Sequence, residues 1–272
     1  ALYGAQDSVL LAEQYYKEAL SIDINTLGKH HPSYAATLSN LATLYQNNDN
    51  YEKALPLLEE SLSISEGLLG KDHPFYSTTL LNLGLLYQDL QDYEKATAYI
   101  EEAVAIRRDI LGEYHPDYAY ALYSQAVLYH KLEHYEEAEE LFHQVVSNYI
   151  RQIRDYFPAL SEQEKSAYFL RVEPVFHAFR DFVIDQVHYH ASVVSKERQQ
   201  RLLAELYNLQ LVTKAMLLDA SYQLRQAIVE QSGTETIQQY EQWSTVKEQL
   251  AQLYTLSRQE RSEQNADINS LE

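Results

Sequence analysis

The sequence predicts an all-α protein, a right-handed α-solenoid of paired antiparallel helices followed by a C-terminal helical connector. Three observations predict it. The dipeptide His-Pro recurs at residues 31, 73 and 115, 42 residues apart each time. Between these marks the apolar and small residues fall at i, i+3, i+4 and i+7, the spacing of one helix face. Only seven glycines and six prolines interrupt 272 residues that are 46% hydrophobic, a balance that disfavours both disorder and a turn-rich β-protein.

Each His-Pro reads as the junction between two helices. A glycine precedes it in all three copies, as in Gly28-Lys29-His30-His31-Pro32, Gly70-Lys71-Asp72-His73-Pro74 and Gly112-Glu113-Tyr114-His115-Pro116. Glycine suits the left-handed conformation just past a helix end, and proline suits the first turn of the next helix because its missing N–H had no partner there. A first helix then carries Leu38, Leu41, Ala42 and Tyr45, repeated as Leu80, Leu83, Gly84 and Tyr87 and as Leu122, Gln125, Ala126 and Tyr129. After a short polar turn, residues 46–50 in the first copy, a second helix carries Tyr51, Ala54 and Leu58, matched by Tyr93, Ala96 and Ile100 and by Tyr135, Ala138 and Phe142. The small residues at 42, 84, 126, 54, 96 and 138 are expected where two helix backbones approach closely. Tyr3, Ala12 and Leu20 hold the same register one repeat earlier, so the chain is expected to open partway through the first helix of a preceding unit. The resulting division is a partial repeat at 1–30, full repeats at 31–72, 73–114 and 115–157, and a connector at 158–272.

This pattern resembles the tetratricopeptide repeat, which places a leucine, a small residue and a tyrosine on its first helix (A) and an alanine and a bulky residue on its second (B). That family's usual unit has about 34 residues; the longer unit here resembles the kinesin light chain variety, in which the helices are extended. Gln125, where a leucine is expected, departs from the pattern.

No fourth His-Pro follows. Residues 151–157 continue the last B helix to Pro158, and Ser161 with Glu164 has the form of a capping box that opens a new helix reaching about His190. Pro174 predicts a kink or break near Val172. Further helices are expected over 196–221 and 237–257, with a turn at Ser232-Gly233, a second capping box at Ser232 and Glu235, and Trp243 as a core anchor. The stretches 156–162, 206–214 and 250–257 resemble the connector of CHAT-type proteins, in which tetratricopeptide repeats are joined to a caspase-like cysteine peptidase domain. The resemblance implies a recognition region whose partner is a protein or peptide, or its own downstream peptidase domain.

Such a peptidase needs a thiolate nucleophile activated by a histidine, and the sequence has no cysteine. No HExxH pattern, glycine-rich phosphate loop or nucleophile elbow occurs. The pairs His30-His31 and His188/His190 lack the i, i+3 or i+4 spacing that would set two ligands on one helix face. No catalytic residue, metal ligand or cofactor is therefore expected. A formal charge of −19 disfavours nucleic acid and anionic membranes, and no apolar run approaches the roughly 18 residues of a membrane span; the expected location is cytoplasmic.

In a solenoid of this kind the A helices line the concave side, and the positions beside their packed stripe face the groove. Those positions include Asn40 and Gln46 in the first copy, Asn82 and Gln88 in the second, and Tyr120, Tyr123 and His130 in the third. Carboxamides can donate to and accept from a peptide backbone, and the non-repeating Tyr120 and Tyr123 offer rigid amphipathic contact area. A solvated polar helix face is the alternative reading. Nine of the 24 tyrosines, at 34, 76, 118, 45, 87, 129, 51, 93 and 135, sit at repeated positions and read as packing residues, while Glu59-Glu60 and Glu101-Glu102 read as solubilising charge. A free-standing scaffold that forms a homodimer through the exposed apolar face of its first, partial repeat or through the C-terminal helices is the second functional reading.

Overall fold

The computed structural model describes residues 2–156, 160–190 and 194–210. It divides the chain into two compact units, Ala1–Ser195 and Lys196–Glu272. In the second unit the described residues, 196–210, are helical; the expected helix at 237–257, the turn and capping box at 232–235, Trp243 and the stretch 250–257 lie outside the described residues. The first unit holds α1 (Leu2–Thr26), α2 (Pro32–Gln46), α3 (Tyr51–Leu69), α4 (Pro74–Asp89), α5 (Tyr93–Leu111), α6 (Pro116–Lys131), α7 (Tyr135–Tyr156) and α8 (Glu162–Ile184), ending in a π-helical turn, Asp185–Tyr189.

The repeat predicted from sequence is the packing unit. α2 pairs with α3, α4 with α5 and α6 with α7, and each B helix then packs on the next A helix. Successive A helices also touch, α2 with α4, α4 with α6 and α6 with α8, which places them on the inner side of the stack. The residues that meet are the repeated ones: Leu38, Leu80, Ala54, Ala96, Ala138, Leu58, Ile100 and Phe142 are all essentially removed from water. A fully buried Leu or Phe side chain contributes about 1.5–3 kcal/mol by transfer from water alone, so a continuous core forms only because each unit covers its neighbour.

The junctions are built by backbone chemistry that recurs every 42 residues. Gly28, Gly70 and Gly112 all have positive φ, 83°, 79° and 82°. Gly70 and Gly112 combine it with ψ of 169° and 163°, so this is not the left-handed helical region expected from sequence but an extended one that only glycine enters readily. The histidine that follows does more than mark a boundary. In all three copies it is the N-cap residue, and its Nδ1 accepts the backbone N–H two residues on, from Ser33, Phe75 and Asp117 at 3.1 Å each. The imidazole Nδ1 thus does what the side-chain oxygen of a capping Asn does.

Between A and B, each A helix ends in a Schellman motif. Asn50, Asp92 and His134 donate backbone N–H to the carbonyls of Tyr45, Tyr87 and Tyr129 at 2.9 Å. The residue before each, Asp49, Gln91 or Glu133, takes φ of 55°, 61° or 62°. Glycine usually fills that place; here it is polar side chains.

Three expectations are revised. The chain does not open on the end of a separate first helix: α1 is one helix of 25 residues, with Asp7, the counterpart of the turn residue Asp49, inside it. α8 runs through Pro174 without a break. The amide that proline lacks would have bonded the carbonyl of Leu170, a residue 71% exposed, so the missing bond falls on the solvent side of the helix, where it costs less than in a buried stretch. α8 ends at Ile184 and continues to about His190 only as the π-helical turn. The capping box at Ser161 and Glu164 is present in both directions. α8 then packs on α6 and α7 where a further A helix would lie, with Val172 and Val175 in one buried cluster with Tyr118, Leu122, Val145 and Tyr149.

Candidate functional site

The face formed by α2, α4 and α6 is narrower than its sequence pattern suggests, because successive A helices pack on one another. Ser39, Leu81 and Ser124, which the helical spacing sets beside the groove, are buried. Several amides are spent between A helices: Asn82 Nδ2 donates to Ser39 Oγ at 3.2 Å, and Gln46 Nε2 donates to Asp89 Oδ2 at 2.7 Å. Both bonds tie one repeat to the next. Gln88 is buried, with its Oε1 lacking a hydrogen-bond partner among the described residues. Asn40 is exposed.

On α6 the face becomes aromatic. Tyr120 is 43% exposed and its ring lies 6.1 Å from that of the half-buried Tyr123. Burial, and then the neighbouring Tyr120, push the Tyr123 hydroxyl above the ordinary tyrosine range. Beneath them lies Arg107, only 4% exposed, whose guanidinium donates to Ser77 Oγ, to Thr78 Oγ1 and to the Asp117 carbonyl. One α5 side chain therefore joins α4 to α6. Burial presses its ionisation downward, opposed by the Asp117 carboxylate; the first and third repeats carry Ser65 and Tyr149 at that place, so periodicity gave no sign of it.

His130, the third-copy counterpart of Gln46 and Gln88, also bonds to the following A-type helix. Its Nε2 lies 3.2 Å from Asp185 Oδ2 in the π-helical turn. Tyr135 Oη and His190 Nε2 are 2.9 Å apart, and His190 is 3.5 Å from the same carboxylate oxygen. This cluster fastens the turn to the last repeat. Among the described residues no group of three or more His, Asp or Glu is arranged to hold a metal ion, and no described helix is long and apolar enough to cross a membrane.

The glutamates taken as solubilising charge include tyrosine partners. Tyr34 Oη donates to Glu60 at 3.2 Å, Tyr76 Oη to Glu102 at 3.4 Å, and Tyr129 Oη to Glu101. Tyr45 Oη likewise donates to Glu13 at 2.8 Å; bonds from Lys17 and then Tyr45 hold that carboxyl below its ordinary range. The signal was available in sequence, since the pairs Tyr34/Glu60 and Tyr76/Glu102 stand at the same place in successive repeats, but adjacent glutamates on a helix look alike whether or not a hydroxyl reaches them.

Residues 34–109 and 77–151 match the family model of the tetratricopeptide repeat. No curated protein sequence matches the chain. Among solved structures, the fold is similar to a kinesin light chain-type protein of Podosopora anserina with nearly identical TPR-like repeats, at 24% identity and a TM-score of 0.56, covering 78% of this chain and 91% of that one. BtubC (BKLC) from P. vanneervenii follows at 21% identity and a TM-score of 0.54, with 78% and 77% covered. The apo form of RapI shows 17% identity and a TM-score of 0.50, with 78% and 81% covered. Residues 34–151 thus carry tetratricopeptide repeats, in an all-helical solenoid similar to those of kinesin light chain-like repeat proteins.

Proposed function

We propose that the repeats bind a protein or peptide along the face of α2, α4 and α6. The observation that carries this reading is the pair Tyr120 and Tyr123, whose rings are tilted against each other on α6 with Tyr120 43% exposed, together with the exposed amide of Asn40 on α2. Exposed aromatic side chains on a rigid scaffold supply large contact area at small entropic cost. Asn40 is the amide open to a ligand backbone, while Asn82 and Gln46 set the spacing of the A helices and so the curvature of the surface. Peptide-array screening of the 272-residue chain, followed by titration of the best peptide against Tyr120→Ala and Asn40→Ala, tests it. A loss of about tenfold for Tyr120→Ala, corresponding to about 1.4 kcal/mol, is the expected result; peptides that bind both variants as the parent does would refute it.

We infer further that residues 1–157 act as the recognition part, and 158–272 as the connector, of a CHAT-type protein, passing partner binding to a caspase-like domain. Support comes from the connector-like stretches at 156–162 and 206–214 and from the docking of α8 on the last repeat. A partner shifts such a domain only by its difference in affinity for two forms of the repeat stack. Reading the coding sequence past Glu272 is the test: a His and Cys pair supports the link, and a stop codon removes it.

Self-association through α1 is the second reading. Leu11, Tyr15 and Ile22 lie on one side of α1 and are half exposed or more; Ile22 is 54% exposed whereas its counterpart Ile64 is 8%. Light scattering of the parent and of Leu11→Glu with Ile22→Glu separates a dimer held by this face from a monomer.

A further inference from the structure

The third repeat departs from the other two at one place that the groove does not use. In the first and second repeats a buried A-helix tyrosine donates to a B-helix glutamate 26 residues on, Tyr34 to Glu60 and Tyr76 to Glu102. The corresponding pair in the third repeat is Tyr118 and Gln144. No bond joins them; instead a cavity of about 490 Å³, open to solvent, is lined by both. Tyr118 is 6% exposed, and neither its hydroxyl nor the Gln144 amide has a hydrogen-bond partner among the described residues. The hydroxyl opens onto the cavity, where it is free to donate to a bound group, whereas in the two sister repeats an acceptor is already present.

The rest of the lining is polar in a way peculiar to this repeat. Asn148 stands where Ile64 and Ile106 pack in the earlier copies, and its Nδ2 donates to the Glu113 carbonyl. Gln152 Nε2 donates to Asn148 Oδ1 at 2.6 Å and Tyr168 Oη donates to Gln152 Oε1 at 2.9 Å, so the wall is held from α8. At the rim the Arg151 guanidinium lies over the Tyr114 ring, 3.7 Å from its centroid. Its ion pair with Asp155, at 3.5 Å, joins two side chains that are nearly half exposed; pairs of that kind contribute little, leaving the cation free to meet a ligand. Ser147 adds a hydroxyl.

We propose that this cavity binds a carboxylate, which gives Tyr118 the acceptor that Glu60 and Glu102 give Tyr34 and Tyr76, with Arg151 as its counter-charge. The ligand chemistry is that of a glutamate or aspartate side chain, carried on a peptide or on a free dicarboxylate. A volume near 490 Å³ is in the range of small-molecule sites, larger than one carboxyl group, and leaves room for the stem of the side chain and flanking atoms above Tyr114. Glu113, also at the rim, opposes the ligand: after burial it is the next cause holding the Tyr118 hydroxyl above its ordinary range, with Arg108 acting the other way. The site therefore favours a carboxylate placed toward Arg151 and away from Glu113. This inference is independent of the groove, because none of its residues lies among Asn40, Tyr120 and Tyr123.

The test is calorimetric titration of the 272-residue chain, at low salt, with three probes: acetyl-Gly-Glu-Gly-amide, its Gln analogue, and glutarate. The Glu peptide is expected to bind with a millimolar or lower dissociation constant, and the Gln analogue at least about tenfold more weakly. Gln144→Glu supplies the carboxylate from within the chain, so this variant is expected to lose peptide binding and to melt at a higher temperature, which shows that it folds. Tyr118→Phe is expected to weaken binding of the Glu peptide, and Glu113→Gln to strengthen it. Glutarate binding as tightly as the peptide identifies a free dicarboxylate as sufficient; peptide binding alone identifies a side chain in a polypeptide. Equal affinity for the Glu and Gln peptides, no binding by any probe, or undiminished binding by Gln144→Glu overturns the proposal.

Discussion

Gly84 on α4 lies directly against Ile100 on α5: a Cβ at residue 84 would come 2.5 Å from Ile100 Cγ1 and 3.2 Å from its backbone nitrogen. The counterparts Ala42 and Ala126 do carry a methyl group and are fully buried. Gly84→Ala must therefore push α4 from α5, since the opposing atoms are a branched side chain and backbone. It is expected to destabilise the fold by about 1–3 kcal/mol, the usual cost of overpacking, read as a lower urea midpoint with an unchanged slope. Equal midpoints for parent and variant would show that the helices separate freely.

The histidine caps make a second prediction. His73 Nδ1 accepts the Phe75 N–H at 3.1 Å, and nothing else at that helix end replaces it once the ring is gone. His73→Ala should cost about 1 kcal/mol, while His73→Asn, whose Oδ1 occupies the place of Nδ1, should cost little. Thermal melts of the two variants decide between a capping role and a purely steric one, in which both substitutions would act alike.

Much of this fold was legible because it repeats. Three copies of His-Pro and of the small residues gave helix order, pairing and the close approaches at Ala54, Ala96 and Ala138, all fully buried. What periodicity conceals is any residue that breaks it. Arg107 bridges α4 and α6 in one repeat only, and Gln144 leaves Tyr118 without the acceptor that Glu60 and Glu102 give Tyr34 and Tyr76. The depth of Ser39 and Leu81 was hidden for another reason. Helical spacing says which side of one helix a residue faces, not how near the next A helix comes, and here that neighbour covers them. The unbroken α8 shows the same limit, since the effect of Pro174 depends on whether the freed carbonyl meets water.

Two kinds of positive-φ position yield opposite expectations. Gly70, at φ 79° and ψ 169°, has open space around a Cβ, so Gly70→Ala acts only through the backbone and should cost about 1–3 kcal/mol. Gln91, at φ 61°, occupies the left-handed region with a full side chain, and Gln91→Gly should be neutral or stabilising despite the added freedom of the unfolded chain. Chemical denaturation of both variants checks the pair; a stabilising Gly70→Ala would contradict the geometry.

The tyrosines set an alkaline limit on the fold. Burial is the first cause raising the hydroxyls of Tyr34, Tyr45, Tyr76, Tyr87, Tyr118, Tyr129 and Tyr149 above the ordinary range, and glutamates add to it at Tyr34, Tyr45 and Tyr129. A group whose folded-state pKa is raised contributes stability that is fully present below its unfolded value and is lost as pH climbs through the folded value. Between the two, the unfolded chain binds fewer protons than the folded one, so unfolding free energy falls with rising pH. The loss should begin near pH 10, about where tyrosine ionises in an unfolded chain, and unfolding should bring the buried hydroxyls into titration together. Tyrosinate absorbance and helical circular dichroism are then expected to change in one step, and Tyr149→Phe to move that step to higher pH. Tyrosinate forming gradually while the helices stay intact would mean that these hydroxyls reach water without unfolding, and that burial is not what restrains them.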